Sequence, residues 1–324
     1  MMAFFNQKKD PLLDRDKLKT EELNEDRTPT IKFYFKLIKR HFSQLLSINL
    51  MMLFMVVPII LIVYFYLSIP KTGIQSDPAF STMLGTSLFT SSPNVQLGLL
   101  MSGAQLNIPI YHATKYYIFI AICALFLIAT WGFQNTGAIY CIRAIVRGDP
   151  VFVFSDYFYG IKKNWKQSLI TGIVDFLFLS ILIFDGYYFW SNASSFLNDL
   201  MLFITAAMLV LYWIMRFYIY PMLITFNIKT FKMLKNAVIF TILGIKRNLM
   251  AILWVVIVLA VNILLVILLW QINVIIPAVL PLFYLMVLIA FTNTYAAYPV
   301  IKKYMIDPQM KKKQQENEQI QAES

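Results

Sequence analysis

From Gln44 to Pro70 the chain carries no Asp, Glu, Lys, Arg or His, 27 residues in a row. A helix crosses the hydrocarbon core of a bilayer with about 20 apolar residues, so this run alone is long enough to span. Composition generalises the point. Of 324 residues, 59% are hydrophobic and 14% charged, against about 25% charged in a soluble domain. These proportions exclude an ordinary soluble enzyme, a disulfide-stapled secreted domain and a disordered chain. They leave an all-α, multi-spanning membrane protein. The first 30 residues are mixed-charge and polar, with no apolar core of the kind a cleavable signal peptide needs.

Six segments read as spans, at about 44–69, 117–142, 167–190, 200–228, 249–270 and 274–299. Membrane helices tolerate Pro58, Pro221, Pro277 and Pro281 where neighbours satisfy the freed carbonyls. Lys and Arg set the orientation. Ten precede the first span, two (Lys71, Lys115) lie in the first loop, five in the second, none in the third, five in the fourth, none in the fifth and five in the tail. Rich and poor segments alternate throughout, which places both termini in the cytosol. Tyr64, Tyr66, Tyr116, Tyr117, Tyr187, Tyr188, Trp190 and Trp270 then mark the outer ends as an aromatic belt. The net charge of +11 is therefore mainly a topology label. It favours anionic lipid headgroups, and without a stacking platform or recognition motif it does not indicate nucleic acid. The expected organisation is a polar cytosolic segment 1–30, a membrane domain 31–301 with an external insertion 70–116, and a charged cytosolic tail 302–324.

Each inward-to-outward span follows a similar basic stretch. Leu37-Ile38-Lys39-Arg40-His41-Phe42 precedes the first, Gly160-Ile161-Lys162-Lys163-Asn164-Trp165 the third and Gly244-Ile245-Lys246-Arg247-Asn248-Leu249 the fifth. The last two lie 84 residues apart. Three parallel helical-hairpin repeats are expected, the first enlarged by the external insertion. Upstream of each basic stretch lies an amphipathic basic-aromatic segment, clearest at 31–42 and at 154–165, where Ser155 is a candidate N-cap. Such cytosolic helices can anchor each hairpin at the headgroups or form a docking surface. Lys39, Arg40, Arg143, Arg147, Lys162, Lys163, Lys246 and Arg247 are the docking or headgroup candidates.

At these residues the chain resembles the YesL-like family of bacterial integral membrane proteins. FKLIKRHFSQLLSINLMMLFMVVP is similar to the family's aromatic-basic opening, with Asn49 and Pro58. TGAIYCIRAIVRGDPVFVFSDYFYGIKKNWKQSL resembles its small-residue helix end, its Arg143 and Arg147-Gly148 turn, its Asp156 and Phe158 unit, and its Gly160, Lys162 and Asn164 run. Pro221 and Leu234-Lys235-Asn236 are similar to a later family segment. The resemblance covers about 31–270 in pieces and departs at the long first external loop. It implies a bacterial plasma-membrane protein of a kind often associated with carbohydrate-uptake transporters, without an established activity.

Charges inside a bilayer are functional candidates by default. Asp175 lies about 13 Å along its helix from Lys166, and Arg216 about 20 Å from Lys229. They come from adjacent, oppositely directed spans and could pair. Asn49, Asn135 and Asn293 join them in one polar layer. The layer can be interhelical glue. The less favoured reading is a solute or ion site, with Arg216 drawing an anion and Asp175 a cation or proton, and Tyr212 and Tyr220 one turn either side of Arg216 could line an aromatic cationic site.

No Walker loop, dinucleotide fingerprint, HExxH, CxxC or GxSxG is present. His41 and His112 fall on opposite sides of the expected membrane, and Cys123 and Cys141 are eighteen residues apart, so neither pair forms a site. No enzyme activity, metal or cofactor is expected. Two functions remain open: an accessory or scaffold component docked to a transporter subunit, and a small-solute transporter or channel with Asp175 and Arg216 in its path.

Overall fold

A computed structural model describes residues 28–69, 109–192, 195–270 and 279–310, with 314, 315 and 318 beyond them. Residues 1–27, most of the 70–116 insertion, the first residues of the expected sixth span and most of the tail lie outside this set, as do the side chains of His112 and Trp270. The described residues are all-helical, and six helical segments are long and apolar enough to cross a membrane. In order the helices are α1 (Ile31–Arg40), α2 (Phe42–Met52), α3 (Val56–Leu67), α4 (Pro109–Arg147), α5 (Val153–Ser191), α6 (Phe196–Thr225), α7 (Thr230–Leu243), α8 (Ile245–Trp270) and α9 (Leu285–Ile301). The chain is a multi-pass membrane protein.

The spanning segments are Phe42–Leu67, Thr114–Arg147, Val153–Ser191, Phe196–Thr225, Ile245–Leu269 and Leu285–Met310. Two differ from the sequence expectation. The third segment starts at Val153, because the basic stretch around Lys162 runs straight into the span as one 39-residue helix. The expected separate helix at 154–165 is thus the first part of α5. Ser155 lies inside it, and the N-cap is Phe152, whose N–H donates to the buried Asp156 carboxylate four residues on (2.8 Å). The sixth is interrupted, because a 3-10 turn at Leu280–Phe283 carrying Pro281 ends at Tyr284, which is off the helical conformation, and the expected residues 274–278 lie outside the described set.

The chain divides into two compact units, Val56–Leu127 and the remainder. In the smaller, α3 stacks Phe65 on Phe119 of α4, with centroids 5.1 Å apart and planes 14° apart. In the larger, α6 is the central post. It packs on α5, α7 and α9, and every residue from Phe217 to Thr225 is buried. A helix that is apolar all round must be enclosed by protein or by lipid, and the two halves of α6 take one option each. Phe203, Ile204 and Leu211 on its first half are exposed. Exposed Leu, Ile and Phe likewise cover faces of α5 and α8, a surface that would aggregate in water and that hydrocarbon solvates.

Local chemistry explains the breaks. α1 starts where Thr30 Oγ1 accepts from Phe33 N–H (3.3 Å). It buries Phe33, Tyr34 and Leu37 on one face and leaves Lys32, Lys36, Lys39 and Arg40 exposed on the other. Tyr34 hydrogen-bonds Thr292 Oγ1 (2.8 Å) and accepts from Trp254 Nε1 (3.0 Å), and its burial pushes the phenol above its usual range. α4 ends at Gly148, which takes φ 84° and donates to Ala144 O. That left-handed geometry is open to glycine at no steric cost.

Candidate functional site

Tyr212, Arg216 and Tyr220 sit at successive turns of α6, so their side chains form one stripe. The stripe faces Asp175 of α5, which is 1% exposed. Arg216 Nε lies 3.0 Å from Asp175 Oδ1 and 3.2 Å from Oδ2. Tyr212 Oη donates to Oδ1 (2.8 Å) and Tyr220 Oη to Oδ2 (2.7 Å). The fourth donor comes from α4, where Trp131 Nε1 reaches Oδ2 (2.8 Å). An ionised carboxylate offers about four lone-pair sites, so this one is saturated by donors from its own chain. A buried charge is stable only under such pairing.

Two glycines admit Trp131 to the cluster. A Cβ built on Gly132 would stand 1.9 Å from Ser168 O, and one on Gly172 would stand 2.4 Å from Gly132 Cα. The backbones of α4 and α5 therefore touch, in the manner of small-residue membrane interfaces. Trp131 neighbours Gly132, and Asp175 lies one turn beyond Gly172, so the close crossing delivers the indole to the carboxylate.

The pairing of Asp175 with Arg216 is thus present, but the expected polar layer divides. Asn49 is fully buried elsewhere, donating to Leu282 O (2.6 Å) and accepting from Val287 N–H (3.0 Å). It satisfies backbone groups freed by the break before α9 and ties α2 to that helix. Asn135 donates to Trp131 O in its own helix (2.8 Å). Asn293 is half-buried on α9, and its Oδ1 has no partner among the described residues. Among those residues no hydrogen bond links any of the three to Asp175 or Arg216. The aromatic cation site also differs from expectation. Tyr212 and Tyr220 spend their hydroxyls on Asp175, and the ring beneath Arg216 is Trp131, 5.7 Å from the guanidinium carbon. Trp131 is not among the candidates the sequence marks, and its only sign there is its place one turn before Asn135 of the polar run 134–137.

The basic candidates divide too. Lys39, Arg40, Lys162 and Lys246 are exposed. Lys163 is half-buried over the Tyr159 ring at 5.3 Å, and Arg147 pairs with Asp149 at 3.0 Å. Arg143 corrects the headgroup expectation. It is 3% exposed, and Nη1 donates to Thr225 Oγ1 (3.1 Å) and Ile224 O (3.4 Å). A cation there satisfies the last carbonyls of α6 and complements the helix dipole. Gln167 Nε2 holds the following Ile228 O (2.6 Å).

Gly160 and Gly244 occupy similar settings. A Cβ on Gly160 would fall 2.7 Å from the Tyr140 ring, and one on Gly244 would fall 2.2 Å from Tyr218 Oη. One turn on, Asn164 donates to Gly160 O (2.8 Å), while Asn248 donates to Thr241 O (3.0 Å) and accepts from Tyr218 Oη (2.6 Å). Both Asn side chains are buried.

Chemically, Asp175 is engaged by donors of its own chain, three on Oδ2 and Tyr212 on Oδ1. Among the described residues no three His, Cys, Asp or Glu side chains converge on a metal-sized site, and both Cys123 and Cys141 are free thiols. No protein-family model matches the chain, and neither characterised proteins nor solved structures yield a significant similarity.

Proposed function

We propose that this protein is an accessory or scaffold component of a bacterial plasma membrane, docked to a carbohydrate-uptake transporter. The observation that carries this reading is the saturation of Asp175 by Trp131, Tyr212, Arg216 and Tyr220. A charge pair used in this way joins α4, α5 and α6 and commits the carboxylate to four donors of its own chain. The exposed Lys39, Arg40, Lys162 and Lys246 supply basic surface for a partner, and the alternation of Lys and Arg along the chain supports placing it, with both termini, on the cytosolic side. The likeness of the Gly160/Asn164 and Gly244/Asn248 settings supports reading the basic stretches as repeats of one hairpin start. The YesL-like resemblance supports the transporter as partner.

Crosslinking in native membranes followed by affinity purification tests the proposal. A transporter subunit should co-purify with the intact chain and be lost in a Lys162→Glu/Lys246→Glu variant whose folded amount is unchanged. If no transporter subunit is captured by the unmodified chain, the scaffold reading is wrong.

One observation favours the alternative of a small-solute transporter or channel. The Arg216 side chain is 21% exposed, and its terminal Nη groups make no hydrogen bond among the described residues, only Nε being engaged. Under that reading an anion binds at Nη, and Arg216→Gln abolishes uptake while the protein remains folded.

A further inference from the structure

α1, α8 and α9 enclose a groove of ≈ 340 Å³, within the ~300–1,000 Å³ of small-ligand sites. One stripe of α8 forms its length. Arg247 stands at one end, followed by Met250, Trp254 and Ile257 at successive turns, with Phe35 of α1 opposite. From Arg247 to Ile257 is ten residues, about 15 Å of helix. The groove therefore runs from the basic start of α8 into the apolar body of a spanning segment.

Its polar groups divide sharply. The tyrosine, tryptophan and threonine groups are internally matched. Trp254 Nε1 donates to Tyr34 Oη, Tyr34 Oη bonds Thr292 Oγ1, and Thr292 donates to Leu288 O. Tyr295 Oη donates to Thr30 O (2.8 Å). These pairings leave an apolar floor. Arg247 differs: the residue is half-buried and, among the described residues, its side chain has neither a hydrogen-bond partner nor an ion pair. A half-buried cation at one end of an apolar channel calls for an anion joined to a long apolar body.

We propose that this groove holds one anionic phospholipid, its phosphate on Arg247 and an acyl chain along Met250, Trp254 and Ile257. Charge complementarity selects the headgroup. The direction of the groove, basic end to apolar depth, matches that of a lipid in its leaflet. Lys246 is the next residue but is exposed and does not line the groove, so it contributes only to general attraction. The site is independent of the scaffold reading, because it is read on the isolated protein.

The test uses the full chain, delipidated in detergent and reconstituted in vesicles of equal parts phosphatidylglycerol and phosphatidylcholine. Re-extracted protein is then analysed by native mass spectrometry. The intact chain should retain one phosphatidylglycerol. Arg247→Gln should lower that retention about tenfold, the size expected for loss of a charge-assisted contact, whereas Lys246→Gln should leave it unchanged. Phosphatidylglycerol with a photoactivatable group in its acyl chain should label residues 250–257 of α8. Equal retention by Arg247→Gln and the intact chain overturns the proposal, as does loss of headgroup preference or labelling spread over the outer faces of α4 and α5. Protection of the groove by a partner protein's helix in native membranes, with no lipid retained, overturns it as well. The photolabel on the unmodified chain decides the matter should Arg247→Gln fail to fold.

Discussion

Arg216 meets Asp175 through Nε alone, which donates to Oδ2 (3.2 Å) and lies 3.0 Å from Oδ1, while its two Nη groups make no hydrogen bond among the described residues. The tyrosines one turn above and below Arg216 complete the oxygens' shells. α6 thus grips α5 through three consecutive turns at one carboxylate.

Breaking that pair should cost more than deleting it. Arg216→Gln strands the buried Asp175 carboxylate without its counter-ion, at about 3 kcal/mol, and Asp175→Asn leaves the half-buried guanidinium unpaired at a smaller cost. The double variant Asp175→Asn/Arg216→Gln should lose less than the sum of the singles. Thermal unfolding in detergent measures all three, and strict additivity would contradict structural pairing.

The α4–α5 contact should not tolerate a side chain. At Gly172 the nearest obstacle is the Gly132 backbone, which cannot rotate away as a side chain can. Gly172→Val should cost about 3 kcal/mol by overpacking or prevent accumulation of folded protein. Gly186 makes the control, since a Cβ there meets only Thr205 Cγ2 at 3.9 Å, and Gly186→Ala should be nearly neutral.

Asn49→Leu preserves bulk but removes both the donor to Leu282 O and the acceptor for Val287 N–H. Each buried backbone group left unpaired costs about 1–3 kcal/mol. A melting temperature equal to that of the intact protein would show that the start of α9 needs no such bridge.

Arg143 and Lys162 should separate burial from basicity. Arg143→Gln removes the contacts to Ile224 and Thr225 and is expected to destabilise by about 2 kcal/mol. The exposed Lys162→Gln should stay within about 0.5 kcal/mol. Binding to anionic vesicles should reverse the order, falling for Lys162→Gln alone. A larger vesicle effect from Arg143→Gln would return that residue to the headgroup region.

Span number followed from the chain alone because hydropathy is a sum over neighbouring residues, and no tertiary contact turns the charge-free run of 44–70 into a soluble segment. The meeting of Asp175 and Arg216 was legible only as a permission, from their depths along adjacent, oppositely directed helices. Their actual contact needed α6 rotated so that positions 212, 216 and 220 face α5. Trp131 needed more, since only the approach of Gly132 to Gly172 brings a third helix within hydrogen-bond reach. The same holds for Asn49 and Arg143. Each satisfies backbone groups that exist because another helix ends or breaks, at Leu280–Phe283 for the first and after Pro221 for the second, hundreds or tens of residues away in sequence.

By itself, then, the sequence determined a six-span helical membrane protein with a marked asymmetry of basic residues, because length, hydropathy and charge are properties of local segments. Only the tertiary structure decided which polar groups meet. It saturated Asp175, buried Arg143 at a helix end, and left Arg247 facing an apolar groove, because such partnerships depend on crossing points and helix rotations that no single segment encodes.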